Sequence, residues 1–422
     1  MENNLKFSQD FWKIHFDDYQ IKGLDLDSQS HSGYFSDGPN VHVLSGDIGK
    51  RIFLKNERFL KPINTTLFKS FANEHQYPII MNFIEGDYHL LFKKDLHSFI
   101  NENLSSFNDL LSIEVLSFWD NLNKSSKTVD LFDEITELVV KQQFLFFFNY
   151  TLSKEDLQLF SFYEDYFTFG LYLDNLTELE KYYSFDKFEK AKKKYDLMFQ
   201  NILEKNQPSR FSEFYNTMTG NNYDINYVFS QFYNISIAGS TNIAKSFIYL
   251  LCFCEDENLN DTSHNSNLSE KETYVLSGKL LAELYRLLPY VYNQVVPPFI
   301  IREAFEKFRI NDEIEVRKGD KIYYYHLLQN ISDKLNSPLE FNPFRTDNDH
   351  KGKSSLVFGA GLHRCCGASL TDLWLHHLLV EYLKSGVNLK SEKGLEHLIY
   401  NPDFEEIKKV SYMVKPSKDE KN

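Results

Sequence analysis

Sulfur is scarce in this chain of 422 residues, with four cysteines and five methionines. So few cysteines exclude the dense disulfide framework of a small secreted scaffold. Two of them, Cys252 and Cys254, stand two apart in an apolar, helix-like stretch, where i and i+2 point to different faces. That spacing suits neither a disulfide nor a zinc site, and reads as two small core residues in a reducing compartment. Long apolar runs are lacking too. The longest candidate, around Phe144–Phe148, is far short of the roughly 18 residues a membrane span needs. The first twenty residues are polar and charged, without the apolar centre of a signal peptide. These features lead us to expect a cytoplasmic protein with no membrane contact. Basic charge is in deficit, 46 Lys and Arg against 60 Asp and Glu, and the formal net charge of −14 argues against nucleic acid as a partner. Glycine and proline number only 17 and 11, and no repeat or linker divides the chain. A single domain over 1–422 is expected, with 415–422 frayed at the end.

What the chain has is apolar residue, 42% of the total, enough for a sizeable core. Helical periodicity dominates its middle, over Val129–Leu152 and Glu180–Lys205, where apolar residues recur at steps of three and four. The stretch Asp224–Cys254 is apolar almost all round and predicts a long buried helix. Strand-like pieces are short: "NVHVLSG" from Asn40, "KRIFLK" from Lys50, and "DEIEVRKGDKIYYYHLL" from Asp312 with a turn at its centre. The polar run Asp256–Glu272 reads as an exposed loop between helices. The fold class is mainly α with small β-sheets.

Chemistry concentrates in "VFGAGLHRCCG", residues 357–367. Gly359 and Gly361 permit backbone conformations that other residues resist, and let a loop approach a bulky ligand. Cys365 falls just before the amphipathic "GASLTDLWLHHLLVEYLKSG", where the N-terminus of a helix favours a thiolate. The cysteine is open to three uses: nucleophile, metal ligand, or structural residue beside a tight turn.

Phe358-Gly359-Ala360-Gly361-Leu362-His363-Arg364-Cys365-Cys366-Gly367 resembles the haem-binding loop of the cytochrome P450 family, F-x-x-G-x-H/R-x-C-x-G. Three further motifs follow in the family's order. "ELYR" (Glu283 to Arg286) resembles its E-x-x-R pair, a spacing that puts both side chains on one helix face. "FNPFR" (Phe341 to Arg345) resembles its F-x-P-x-R, and "AGSTN" (Ala238 to Asn242) the stretch of the long helix that crosses the haem. The likeness runs from about residue 85 to residue 385; the first eighty residues match loosely.

The resemblance implies the P450 fold, with haem b between the long central helix and the helix after the cysteine loop. It makes Cys365 the axial iron ligand, Cys366 a small filler, and Phe358, Gly361, His363 and Gly367 part of the haem-binding loop. Glu283, Arg286 and Arg345 become a structural network. Haem propionates want cationic partners. By resemblance His89, Lys93 and Arg302, with His363, supply them, although Lys93 stands where arginine is usual and lacks its forked geometry. Ala238 and Gly239 would let the helix pass close to a porphyrin. Thr241 and Asn242 fall where the family has an acid followed by threonine. Asn242 donates hydrogen bonds but cannot titrate. Asn234, Ser236, Ile237, Val295 and Val296 are candidate pocket residues.

The implied activity is a monooxygenase of bacterial secondary metabolism acting on a small organic substrate, free or carrier-bound. Electrons would come from a ferredoxin or flavodoxin with its reductase, docking near Arg364, Lys351 and Lys353. The altered Asn242 leaves open oxidative coupling or cyclisation, desaturation, nitration and peroxide-driven oxidation. A haem-binding sensor without turnover is the reading from another class.

Overall fold

The structure is a computed structural model, and it describes residues 20–27, 32–36, 40–62, 86–125, 128–157, 185–204, 208–220, 235, 239–256, 268–288, 299–326, 330, 340–345, 357–391 and 411–415. In chain order its strands are β1 (Gln20–Asp27), β2 (Ser32–Ser36), β3 (Val41–Ser45), β4 (Leu60–Pro62), β5 (Thr128–Asp130), β6 (Phe299–Ala304), β7 (Phe308–Arg309), β8 (Glu315–Val316), β9 (Lys321–Tyr325), β10 (Asn388–Ser391) and β11 (Ser411–Lys415). The helices of ten residues or more are α1 (Gly46–Asn56), α2 (Gly86–Ser125), α3 (Leu131–Phe148), α4 (Phe185–Glu204), α5 (Arg210–Gly220), α6 (Ser240–Asp256), α7 (Glu270–Leu287) and α8 (Ala368–Ser385). The chain divides into two compact units, Met1–Ile63 with Tyr249–Cys365 and Lys393–Glu406, and Asn64–Ile248 with Cys366–Glu392 and Ile407–Asn422.

The first unit is built on a six-stranded sheet in the order β1-β2-β3-β9-β6-β4. Only the β3–β9 pair is parallel, running from Val41 opposite Lys321 to Ser45 opposite Tyr325. Its apolar face gathers Leu44, Phe53, Leu60, Ala304, Phe308, Val316, Ile322, Tyr324 and Ala360 into one cluster. Burying such side chains is the main drive to fold, roughly 1.5–3 kcal/mol for each large one. A buried His42–Asp320 pair, 2.9 Å apart, ties β3 to the turn before β9. Helix α7 starts on a capping box, in which Ser269 accepts from the Glu272 backbone N–H and the Glu272 carboxylate accepts from that of Ser269.

Two sequence expectations change here. "KRIFLK" is not a strand but the end of α1. Gly49, Phe53 and Asn56 are buried while Arg51, Leu54 and Lys55 are exposed, a helical repeat that a six-residue window hides. The expected helix over Asp224–Cys254 is not continuous either. Gly239 adopts φ +102°, outside the helical region, and α6 begins at Ser240, with Ile243 N–H donating to Gly239 O at 2.8 Å. A glycine accepts that conformation where other residues resist it.

The second unit is helical around an aromatic core, with a small sheet β10-β11-β5. Helix α8 lies against α2. Trp119 on α2, fully buried, donates its indole N–H to Leu378 O at 3.0 Å and packs on Tyr382 at 5.2 Å. Phe107 meets Trp374 edge-on at 5.7 Å, and His377 bonds to Asn108 at 2.9 Å. Phe146 and Phe147 of α3 pack on Phe107. The α8 end is set by Gly386 in the left-handed region, φ +66°.

Trp119 is therefore the residue on which the α2–α8 contact turns. Trp119→Ala is expected to cost about 3–5 kcal/mol. Denaturant unfolding would show it as a lower midpoint with an unchanged slope.

Candidate functional site

The loop before α8 is held on several sides within the first unit. Gly359 and Gly361 lie at φ +76° and +63°. The turn they form closes through Cys365 N–H to Phe358 O at 2.8 Å and Arg364 N–H to Gly361 O at 3.2 Å. Ala360 packs into the sheet cluster. Phe358 meets Tyr285 of α7 edge-on, with ring centres 5.4 Å apart. None of the four cysteines is in a disulfide, and of the adjacent pair Cys365 is exposed while Cys366 is buried. Gly367 takes the N-cap position of α8, and its carbonyl accepts from Thr371 N–H at 2.8 Å.

Behind Phe358's partner Tyr285, the structure brings Glu283, Arg286 and Arg345 together in the interior. The Glu283 carboxylate receives Arg286 Nε at 2.9 Å and Arg286 Nη2 at 2.6 Å, a forked pair, together with Arg345 Nε at 2.9 Å and the Asn342 N–H at 3.0 Å. The carbonyl of Glu340 accepts from both guanidinium groups, at 2.9 and 2.8 Å, and that of Asn330 from Arg286 at 3.3 Å. Burying charges is costly unless each is paired and hydrogen-bonded, and here both guanidinium groups pair with Glu283 and also donate to a backbone carbonyl. Burial alone would raise the Glu283 carboxyl pKa. Hydrogen bonds and charge from Arg286, with Asn342 and Arg345, more than offset it and leave the carboxyl below its ordinary value.

Arg302 sits on β6 opposite Pro62 of β4. Its Nη1 donates to Ile301 O at 2.8 Å, while its Nε is sealed from solvent without a hydrogen-bond partner among the described residues. Burial pushes this guanidinium down to about 10, and the charge of Glu57 pulls it back up. Glu57 opens a 3₁₀ turn after α1, is buried, and accepts the Leu362 N–H at 2.7 Å. Sequence reading missed Glu57, because its partner lies 305 residues away. His363 is half-buried, and Leu362 and Arg364 are exposed.

In the second unit His89 is buried and Lys93 half-buried, one turn apart on α2 and so on one face. On α6 Thr241 is half-buried and Asn242 exposed in the first turn, just after Gly239. Asn234, Ser236, Ile237, Ala238, Val295, Val296, Lys351 and Lys353 lie outside the described residues.

No family model and no curated protein matches the sequence. Solved structures do. P450BioI in complex with an acyl carrier protein ligated to hexadec-9Z-enoic acid is 16% identical with a TM-score of 0.67, covering 92% of this chain and 95% of its own. Retinoic acid-bound cyanobacterial CYP120A1 is 17% identical with a TM-score of 0.64, covering 90% of each chain. The P450 heme domain of Tepidiphilus thermophilus is 14% identical with a TM-score of 0.61, over 85% of this chain and 86% of that one. The chain has the cytochrome P450 fold.

Removing Glu283 would leave two buried guanidinium groups without their counter-charge. Glu283→Ala is expected to lose about 3–5 kcal/mol of stability. Because its folded pKa is lowered, the stabilisation from the carboxylate is full above the ordinary value of 4.5 and fades as pH falls through the folded value. Urea midpoints of wild type and Glu283→Gln should therefore converge in acid and separate towards neutrality.

Proposed function

We propose that the chain is a haem-thiolate monooxygenase that oxidises a small organic substrate. The observation that carries this reading is Cys365, exposed at the end of a glycine-turned loop on a P450 fold. Among the described residues no three His, Cys, Asp or Glu side chains gather to hold a metal ion. Haem iron brings most of its own ligands with the porphyrin and asks the chain for a thiolate. The cation set fits the same group. A half-buried Arg302 with an unused Nε suits a carboxylate, and His89, Lys93 and His363 are the further candidates for the propionates. Phe358, Gly361 and Gly367 would shape the loop around the ring.

Haem held through a thiolate supplies an electron-rich iron that activates dioxygen and favours O–O cleavage. The chain's own contribution is to hold Cys365, to anchor the propionates and to present hydrogen-bonding groups from the start of α6. Thr241 and Asn242 would take that last role, and the resemblance gives Ala238 and Gly239 the part of allowing close approach. Asn242 can donate and accept but not deliver a proton as an acid, so protons would pass along Thr241, water or the substrate. That residue is the feature favouring a second reading, in which hydrogen abstraction ends in coupling or desaturation rather than oxygen insertion.

Electrons would reach the iron from a ferredoxin or flavodoxin. Two of the similar structures hold long apolar acids, one of them on a carrier protein, and we extend to this chain a substrate of that apolar kind, free or carrier-borne. No described helix is long and apolar enough to cross a membrane.

The reduced protein with carbon monoxide is expected to show the red-shifted Soret band of thiolate ligation. Cys365→Ser should abolish that band and Cys366→Ser keep it; the opposite result would overturn the ligand assignment. Asn242→Ala and Asn242→Thr should change the ratio of peroxide released to product formed. An unchanged ratio in both would make Asn242 a bystander.

A further inference from the structure

Glu57 has no place in the reading above, yet it is one of the most constrained carboxylates in the first unit. It is 6% exposed. Its Oε1 accepts the Leu362 N–H at 2.7 Å, three residues before Cys365. A Cβ built at Gly361 would overlap its carboxylate, so side chain and loop backbone are in direct contact. The same carboxylate is the charge that acts on the Arg302 guanidinium. Elements on both sides hold it in place. It follows directly on α1, whose Phe53 is in the sheet core, and precedes Phe59, whose carbonyl accepts from Phe305 N–H at 3.0 Å. β4 then pairs with β6 from Leu60 opposite Ala304 to Pro62 opposite Arg302. One carboxylate thus joins the turn after α1 to the cysteine loop.

A buried charge of this kind is retained at a cost unless its partners use it fully. Gly361 meets two demands at once, a φ of +63° and room for Glu57. We propose that Glu57 is a positioning residue that sets the cysteine loop before any ligand arrives. It acts on the loop through the Leu362 N–H, and this role stands whatever the loop binds.

In the apoprotein, amide exchange over the 357–367 segment should quicken about tenfold in Glu57→Ala, the loss expected for a hydrogen bond to a charged group. Glu57→Gln, which can still accept the Leu362 N–H, should exchange as wild type does. Equal exchange in wild type and Glu57→Ala would overturn the loop role, whatever the protein binds. Should Glu57→Ala fail to fold, Glu57→Asp, too short to reach Leu362, replaces it in the exchange test.

Discussion

A single carboxylate, Glu283, holds the interior of the first unit in register. Two guanidinium groups, one backbone N–H and two carbonyls converge on it and its partners. Such a centre does not tolerate drift. Each donor has a fixed direction, and losing one partner leaves a charge stranded away from water. Tyr285 sits inside this arrangement, between Glu283 and Arg286 in sequence, and carries Phe358 on its ring edge. The cysteine loop therefore rests, through Phe358, on the helix that carries this buried ion network.

The loop has two other anchors of different physical kind. Ala360 uses the hydrophobic effect, through the sheet cluster. Leu362 uses a charge-assisted hydrogen bond, to Glu57. Apolar packing is non-directional, so Ala360 fixes depth; the hydrogen bond and the ring contact fix orientation. Together they leave little freedom to the residues up to Cys365. In the second unit the equivalent work is done by Trp119, which joins α2 to α8 by packing and by one indole hydrogen bond.

What the sequence made legible follows from the range of each interaction. Glu283 and Arg286 are three apart on a helix, so their meeting is a matter of helical geometry. The amphipathic periods over α3, α4 and α8 are equally local. The six residues of "KRIFLK" misled, because three adjacent apolar residues suit a strand until the buried Gly49 and Asn56 are counted with them. Gly239 misled in the other direction, since the apolar period runs through it unbroken while its backbone leaves the helical region. Glu57 left no local signal at all. It is one acidic residue in a turn, and its partner Leu362 comes from a distant loop that the fold returns to it.

The adjacent cysteines show what burial does to two identical groups. Cys365 is exposed and Cys366 buried, so the same thiol chemistry is offered to the surroundings at one position and withheld at the next. Sequence could not rank the two by composition, for they share a neighbourhood. The loop ranks them by geometry, and a slip of one residue along the chain would present the other sulfur while leaving the amino-acid content of the motif untouched.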